Sequence, residues 1–304
     1  MPNTRTLLTC IGAAALLLAG CGLGTARIPA APASRDASAS RAARPQPVPT
    51  RAPAVARQLA ARWAAAKRRA PAPGSPVVFR VIDYAATVFS PGSPGGFTAF
   101  TIMRRTVEVS ATSTAAITIS NSTPPRFPTP ADRVLWEQAG RPRLEPAPAT
   151  SQEQAIPAGG FTFVPQGSPL TYQQAATLPG TPGGLAAVIT AHVRAYAGPN
   201  PPASLLLKQV AFLIATAPLT RAARSAAWQV VGSLAGLRIC PAGAWAQPPR
   251  PVQLCAASAG DETLVSIDVR TASILSISEI LLRPSPLYPH VAAGKVVGST
   301  SFPA

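Results

Sequence analysis

The chain predicts an α+β fold: a curved antiparallel β-sheet, half-barrel-like, packed with several helices. Three observations carry this expectation. Residues 77–120 hold three runs with strand-like alternation. Residues 185–235 switch to a helical period. Strand-like runs then return between residues 237 and 282. Strands in sequence, then helices, then strands again suit an antiparallel sheet with helices on one side.

The first element is an export signal. Arg5 and the start amine form a short positive region, and Leu7 to Leu18 form an apolar run. Leu18-Ala19-Gly20-Cys21 follows, with small residues where a peptidase must approach the backbone. The run is too short to span a hydrocarbon core of about 30 Å. A Cys directly after Leu-Ala-Gly marks a bacterial lipoprotein signal peptide over residues 1–20, with Cys21 as the lipidation site. The alternative is a plain signal peptide, but no A-x-A cleavage site lies nearby. No twin-arginine pair precedes the run, so the general secretion route is expected. A diacylglycerol on Cys21, with further acylation such as palmitate, supplies the two chains that stable anchoring needs.

Residues 21–54 are rich in Ala, Pro, Ser and Arg and cannot bury enough apolar surface to fold. They predict a disordered basic tether. Residues 22–70 carry ten basic groups against one acid, Asp36. Arg27, Arg35, Arg41, Arg44 and Arg51 stand just beyond the lipid, where each can gain up to about 1 kcal/mol from an anionic membrane surface. A solvated, Arg-biased stalk is the competing reading. The chain has net charge +16 and pI near 11.3. Export and the lack of aromatic-basic interleaving argue against nucleic acid as a partner.

Residues 55–70 predict a basic helix with Val55, Leu59, Trp63 and Ala66 on one stripe, packing on a sheet or lying on the membrane surface. A single α+β domain is expected over residues 71–290, with residues 291–304 as a tail. Its first strand starts at Val77 and runs toward Phe89. A Pro/Gly turn at 90–96 leads to a second strand, Phe97 to Ser110, and a third covers Thr114 to Ser120. Ala131 to Ala139 suits a helix begun by Thr129-Pro130, and residues 141–159 suit a loop. Residues 185–196 place Leu185, Val188, Ile189, His192, Val193 and Tyr196 on one helix face. Residues 203–216 are nearly all apolar and too short to cross a bilayer, so they predict a buried helix. Residues 219–235 form a third helix. Strands follow at 237–240, 252–257, 263–269 and 273–282.

Cys240 and Cys255 are the only thiols of the folded part, with 14 residues between them. Export to an oxidising compartment favours a disulfide over two buried thiols. Closing such a loop is worth about 3 kcal/mol in the chain-entropy model. Metal binding is poorly supported, with no close Cys pair and two His in the chain. No G-x-S-x-G, H-E-x-x-H or phosphate-cradling glycine loop occurs. His192 suits a packed position, His290 an exposed one, and Asp261-Glu262 a solvated turn. No enzyme activity and no cofactor are expected.

The stretch from Tyr172 onward resembles a family of uncharacterised actinobacterial membrane-anchored proteins, often encoded near extracytoplasmic sigma factors. The likeness rests on Leu170-Thr171-Tyr172, on Leu178-Pro179-Gly180-Thr181-Pro182, on Pro218 to Leu237 with Arg221-Ala222-Ala223, and on Asp268-Val269-Arg270-Thr271. It covers residues 77–282, mostly by order of elements. Val269 and Ala272 stand where the family prefers Pro and Gly. Family members commonly use one transmembrane helix, where this chain is expected to use lipid. That family is distantly similar to lipoprotein-carrier and sigma-regulator half-barrels, which can hold an acyl chain in their concavity. The resemblance implies a fold and carries over no functional residue. The expectation is a lipid-anchored protein of the cell envelope, on the extracytoplasmic face of the cell membrane. It binds a lipid or other apolar ligand, or else an envelope protein partner without ligand. An envelope hydrolase is the third reading.

Overall fold

The computed structural model describes residues 52–65, 74–89, 96–120, 123–142, 144, 151–240 and 251–303. The expected signal peptide, Cys21 and the tether with Arg27, Arg35, Arg41, Arg44 and Arg51 lie outside the described residues.

Among the described residues the sheet has nine strands in the order β4-β3-β2-β1-β9-β8-β7-β6-β5, all antiparallel, curved and not closed into a barrel. The expected α+β half-barrel architecture is therefore present. β1 (Val77–Phe89), β2 (Phe97–Val109) and β3 (Ala115–Ser120) form the meander read from the alternation. β4 (Ser151–Ile156) extends it, pairing along β3 from Ala115↔Ile156 to Ser120↔Ser151. The expected loop at 141–159 thus contains an edge strand. Its sequence, Ser-Gln-Glu-Gln-Ala-Ile, is polar because an edge strand that carries charge resists pairing with other chains.

The second half is β5 (Arg238–Cys240), β6 (Val252–Ala257), β7 (Asp261–Asp268) and β8 (Ser273–Leu281). β9 (Val296–Ser301) joins the halves, pairing with β1 at Ala85↔Gly298 and with β8 at Glu279↔Gly298. The expected tail at 291–304 is corrected: it supplies a central strand. Its Gly and three hydroxyl residues mask the strand in the sequence, but both of its edges are paired.

The β7–β8 turn is tied by Asp268, whose carboxylate accepts from the Arg270 amide (2.9 Å) and the Thr271 hydroxyl (2.9 Å). Ala272 then takes a left-handed φ of 53°. A Cβ is disfavoured there by about 1–2 kcal/mol. Ala272→Gly is expected to stabilise the fold by about 1 kcal/mol, read as a raised urea midpoint at unchanged m-value. A loss of stability would mean that the buried Ala272 methyl outweighs the backbone strain.

Helices cover one face. α2 (Pro130–Gln138) starts at Thr129 through a capping box with Asp132. α3 (Tyr172–Ala176) is a single capped turn. α4 (Pro182–Ala197), α5 (Ala203–Thr216) and α6 (Arg221–Ser233) are the three helices read from periodicity. α5 lies on β6, β7 and β8, which is why nearly every residue in it is apolar. Tyr196, expected inward, is 64% exposed at the end of α4.

α1 (Ala52–Ala65) belongs to this domain, beginning before the expected boundary at residue 55. It was expected on a sheet, and it packs mainly on α6. Small residues permit the close approach: Ala52, Ala56 and Ala60 are buried, and a Cβ at Gly232 would stand 3.0 Å from the Ala56 methyl. Ser225 donates to the Ala60 carbonyl (3.0 Å). Trp63 donates to the Ala272 carbonyl (3.1 Å) and stacks under Arg224, whose pKa burial pushes down to about 10. Residues 71–290 are therefore too short a unit, and the described domain spans 52–303.

Candidate functional site: a cleft at the start of α5

A cleft of about 970 Å³ lies where β1, β9, β8 and β7 run beyond the cover of α5. Ala86, Val88, Leu281 and Val297 form its apolar floor. Tyr196 and Ala197 from the end of α4, with Ser204 and Leu205 from the start of α5, form its roof. The β8–β9 connector, Arg283 to Tyr288, forms the outer wall. Pro284 and Pro286 keep this wall stiff by fixing two φ angles. Leu287 on it is 67% exposed.

Polar groups converge on the β7–β8 side. Thr263 pairs with Glu279 and Asp261 with Leu281, so Asp261 and Glu279 are diagonal neighbours on one face. Glu279 accepts from Lys208 Nζ of α5 at 2.7 Å. Gly298 lies opposite it, and a Cβ there would come within 3.3 Å of Glu279 Oε2. The glycine therefore leaves room for the carboxylate. Asp261 accepts from the Ser258 hydroxyl. Burial, then the Glu279 charge, holds its carboxyl above the usual range. Burial pushes the Tyr288 phenol up to about 12, with Glu279, Asp261 and Tyr196 adding to the effect. Tyr288 therefore stays a neutral donor facing two carboxyl groups.

Glu279 also lines a separate throat-like cavity of about 50 Å³ beneath α5. Lys208, Gln209 and Thr300 line it. The Gln209 amide nitrogen donates to Gln166 Oε1 (3.2 Å). Its oxygen, Oε1, is buried and has no hydrogen-bond partner among the described residues. A buried acceptor left this way costs about 1–3 kcal/mol, so the throat favours a bound donor.

The expected turn pair Asp261-Glu262 is split by the strand. Asp261 faces the cleft, while Glu262 is buried on the other side and paired with Arg238. Cys240 and Cys255 form the expected disulfide, with Cα atoms 6.1 Å apart. It joins β5 to β6, away from the cleft. Glu262 oxygen and the two sulfurs lie within 4.8 Å of one another, but disulfide sulfurs are not thiolate ligands.

Neither histidine lines the cleft. His192 Nδ1 stands 2.7 Å from Ser168 Oγ and 3.0 Å from the Ser168 carbonyl. This pair ties α4 to the preceding loop, and among the described residues no carboxylate bonds the imidazole. His290 is exposed as expected, and its Nδ1 is anchored to buried Asp132 at 2.8 Å. The cleft escaped sequence reading because its groups come from six elements. The two signals were Gly298 in a strand and Asp261 at a strand start, both ordinary by themselves. No described helix is long and apolar enough to cross a membrane. Comparison with protein-family models, curated proteins and solved structures finds no match.

Proposed function

We propose that this protein is an exported envelope lipoprotein whose cleft binds an amphiphile without chemical conversion. Lipid on Cys21 holds it at the extracytoplasmic face of the membrane, and the basic tether spaces the domain from the bilayer. The ligand places an apolar body against Ala86, Val88, Leu205 and Val297. Its polar head donates hydrogen bonds to Glu279 and Gln209 Oε1 in the throat. The observation that carries this reading is the cleft itself. A volume of about 970 Å³, an apolar floor and a few convergent polar groups at one end suit a small-molecule site. Lys208 already neutralises Glu279, which supports a holding role over acid-base work.

The test is native mass spectrometry of the chain expressed with its own N-terminus and extracted in neutral detergent. Under denaturing conditions the mass should begin at Cys21 and include a diacylglycerol. Under native conditions a further mass should appear and be lost in organic solvent. Leu205→Asp puts a charge into the roof at a half-buried position. It should lower ligand occupancy at least tenfold while the melting temperature stays within a few degrees. A native mass equal to the denatured mass in the parent chain would sink the ligand reading. It would leave a surface scaffold that contacts a protein partner.

A further inference from the structure

A second cavity, of about 710 Å³, has a different chemistry. Its floor is a register row: Tyr84 pairs with Ser299 of β9, and Ser299 pairs with Ser278 of β8. The two serine hydroxyls are 2.8 Å apart. Side chains alternate along each strand, so this row points away from Asp83, Ala85 and Glu279, which line the small cavity beneath α5. Tyr84 and Phe100 stack as one wall, with centroids 5.0 Å apart and planes 5° from parallel.

Three nitrogen-bearing side chains surround this floor: Arg126, His290 and Lys295. Each rises from a fixed point. The Arg126 backbone is locked to Phe100 by bonds of 2.7 and 2.9 Å. The Lys295 carbonyl accepts from the Leu281 amide (3.0 Å). His290 sits at a left-handed φ of 64° and is bonded to Asp132. Asp132 is fully buried and also accepts from the Thr98 amide (3.0 Å), the Thr129 amide (3.2 Å) and the Thr129 hydroxyl (2.5 Å). Burial would raise this carboxyl, but the His290, Thr129 and Thr98 hydrogen bonds outweigh it and hold its pKa below the usual range. The contact with Asp132 holds the imidazole in place beside the cavity. Arg126 lies close enough to the Tyr84 phenol to oppose the rise that burial causes in its pKa. Among the described residues no carboxylate lines this cavity, and neither Arg126 nor Lys295 forms a salt bridge.

We infer that this cavity binds the phosphate group of an organic phosphoester. Arg126 offers a planar fork for two phosphate oxygens, Lys295 a point charge, and Tyr84, Ser278 and Ser299 hydroxyl donors. The Tyr84–Phe100 wall packs the organic part. A phosphodiester lipid headgroup and a soluble phosphomonoester share this chemistry. The inference does not depend on the first cleft.

The test is isothermal titration of the full chain in neutral detergent at constant ionic strength. The probes are inorganic phosphate, glycerol 1-phosphate and dihexanoylphosphatidylglycerol below its micellar concentration. The double variant Arg126→Ala/Lys295→Ala changes two exposed side chains, so its melting temperature should match the parent. Saturable binding of at least one probe is expected, weakened tenfold or more in the double variant. Stronger binding of the lipid assigns a headgroup site, and stronger binding of the monoester assigns a soluble phosphoester. Absence of saturation by all three probes, or equal affinity in the double variant, overturns the inference.

Discussion

A chain ended after Ala293 is expected to lose cooperative folding. The deletion removes β9, and β9 is the one strand that pairs both halves of the sheet. Without it, β1 loses its pairing from Ile82↔Ser301 to Ala85↔Gly298, and β8 loses its pairing from Ser276↔Ser301 to Ile280↔Val296. Two four-stranded meanders remain, each with a newly open edge in what was the middle of the sheet. Val297 leaves the small cluster with Ala86, Phe100, Leu281 and Val291. The Asp83 carboxylate loses the Thr300 hydroxyl, a bond of 2.7 Å. The summed loss of backbone bonds and burial is comparable to the 5–15 kcal/mol that holds a typical domain together. The expected result is no sigmoidal urea transition and loss of near-ultraviolet circular dichroism. A peptide of residues 294–304 added in excess should restore part of the signal by filling the gap. A truncated chain within about 1 kcal/mol of the parent would mean that the halves stand independently.

This strand also shows where sequence reading stopped. Elements with a strong internal pattern were legible almost to the residue. α5 occupies 203–216 and β6 occupies 252–257, the spans read from apolar runs alone. β1 to β3 followed from alternation because one face meets the core and the other does not. β9 and β4 carry no such pattern. In β9, buried Val297 and Gly298 are followed by hydroxyl residues whose neighbours on both faces line cavities. In β4 the pairing is at an edge, where polar residues are favoured. α1 formed as its propensity suggested, but its partner could not be read from an Ala-rich stripe. That stripe fits another helix of small residues better than it fits a sheet, as the contact of Ala56 with Gly232 shows.

The candidate sites were less legible than the fold, for a physical reason. Cys240 and Cys255 were found because a disulfide needs two residues of one rare type. The cleft and the phosphate cavity are built from ordinary residues that meet only after folding. Glu279, Gly298 and Lys208 come from three elements, and Arg126 meets His290 and Lys295 from two separate connectors. Thr129-Pro130 marked a helix start. The sequence offered no sign that Asp132 of that capping box also grips His290, 158 residues away.

Asp83→Ala is expected to cost about 3–5 kcal/mol, the usual effect of removing one partner of a buried ion pair. Asp83 and Arg105 have side chains only 8% exposed. Arg105 Nε donates to Asp83 Oδ2 at 2.7 Å, and the second guanidinium contact is 2.6 Å. Asp83 Oδ1 accepts from Thr300, so one carboxylate ties β2 to β1 and β1 to β9. Truncation leaves the Arg105 guanidinium buried without its counter-ion and the Thr300 hydroxyl without its acceptor. Desolvation of that charge, more than loss of attraction, makes the single change severe. The double change Asp83→Leu/Arg105→Met removes both charges and fills the space. It should recover most of the loss, because an apolar pair of similar volume commonly equals or betters a buried ion pair. Urea unfolding of the parent, the single and the double variant decides this. A single variant less than about 1 kcal/mol below the parent would mean that water reaches Arg105 and screens its charge. A double variant as unstable as the single would mean that the pair does more than neutralise itself. Its bonds would then hold β1 in register with its two neighbours.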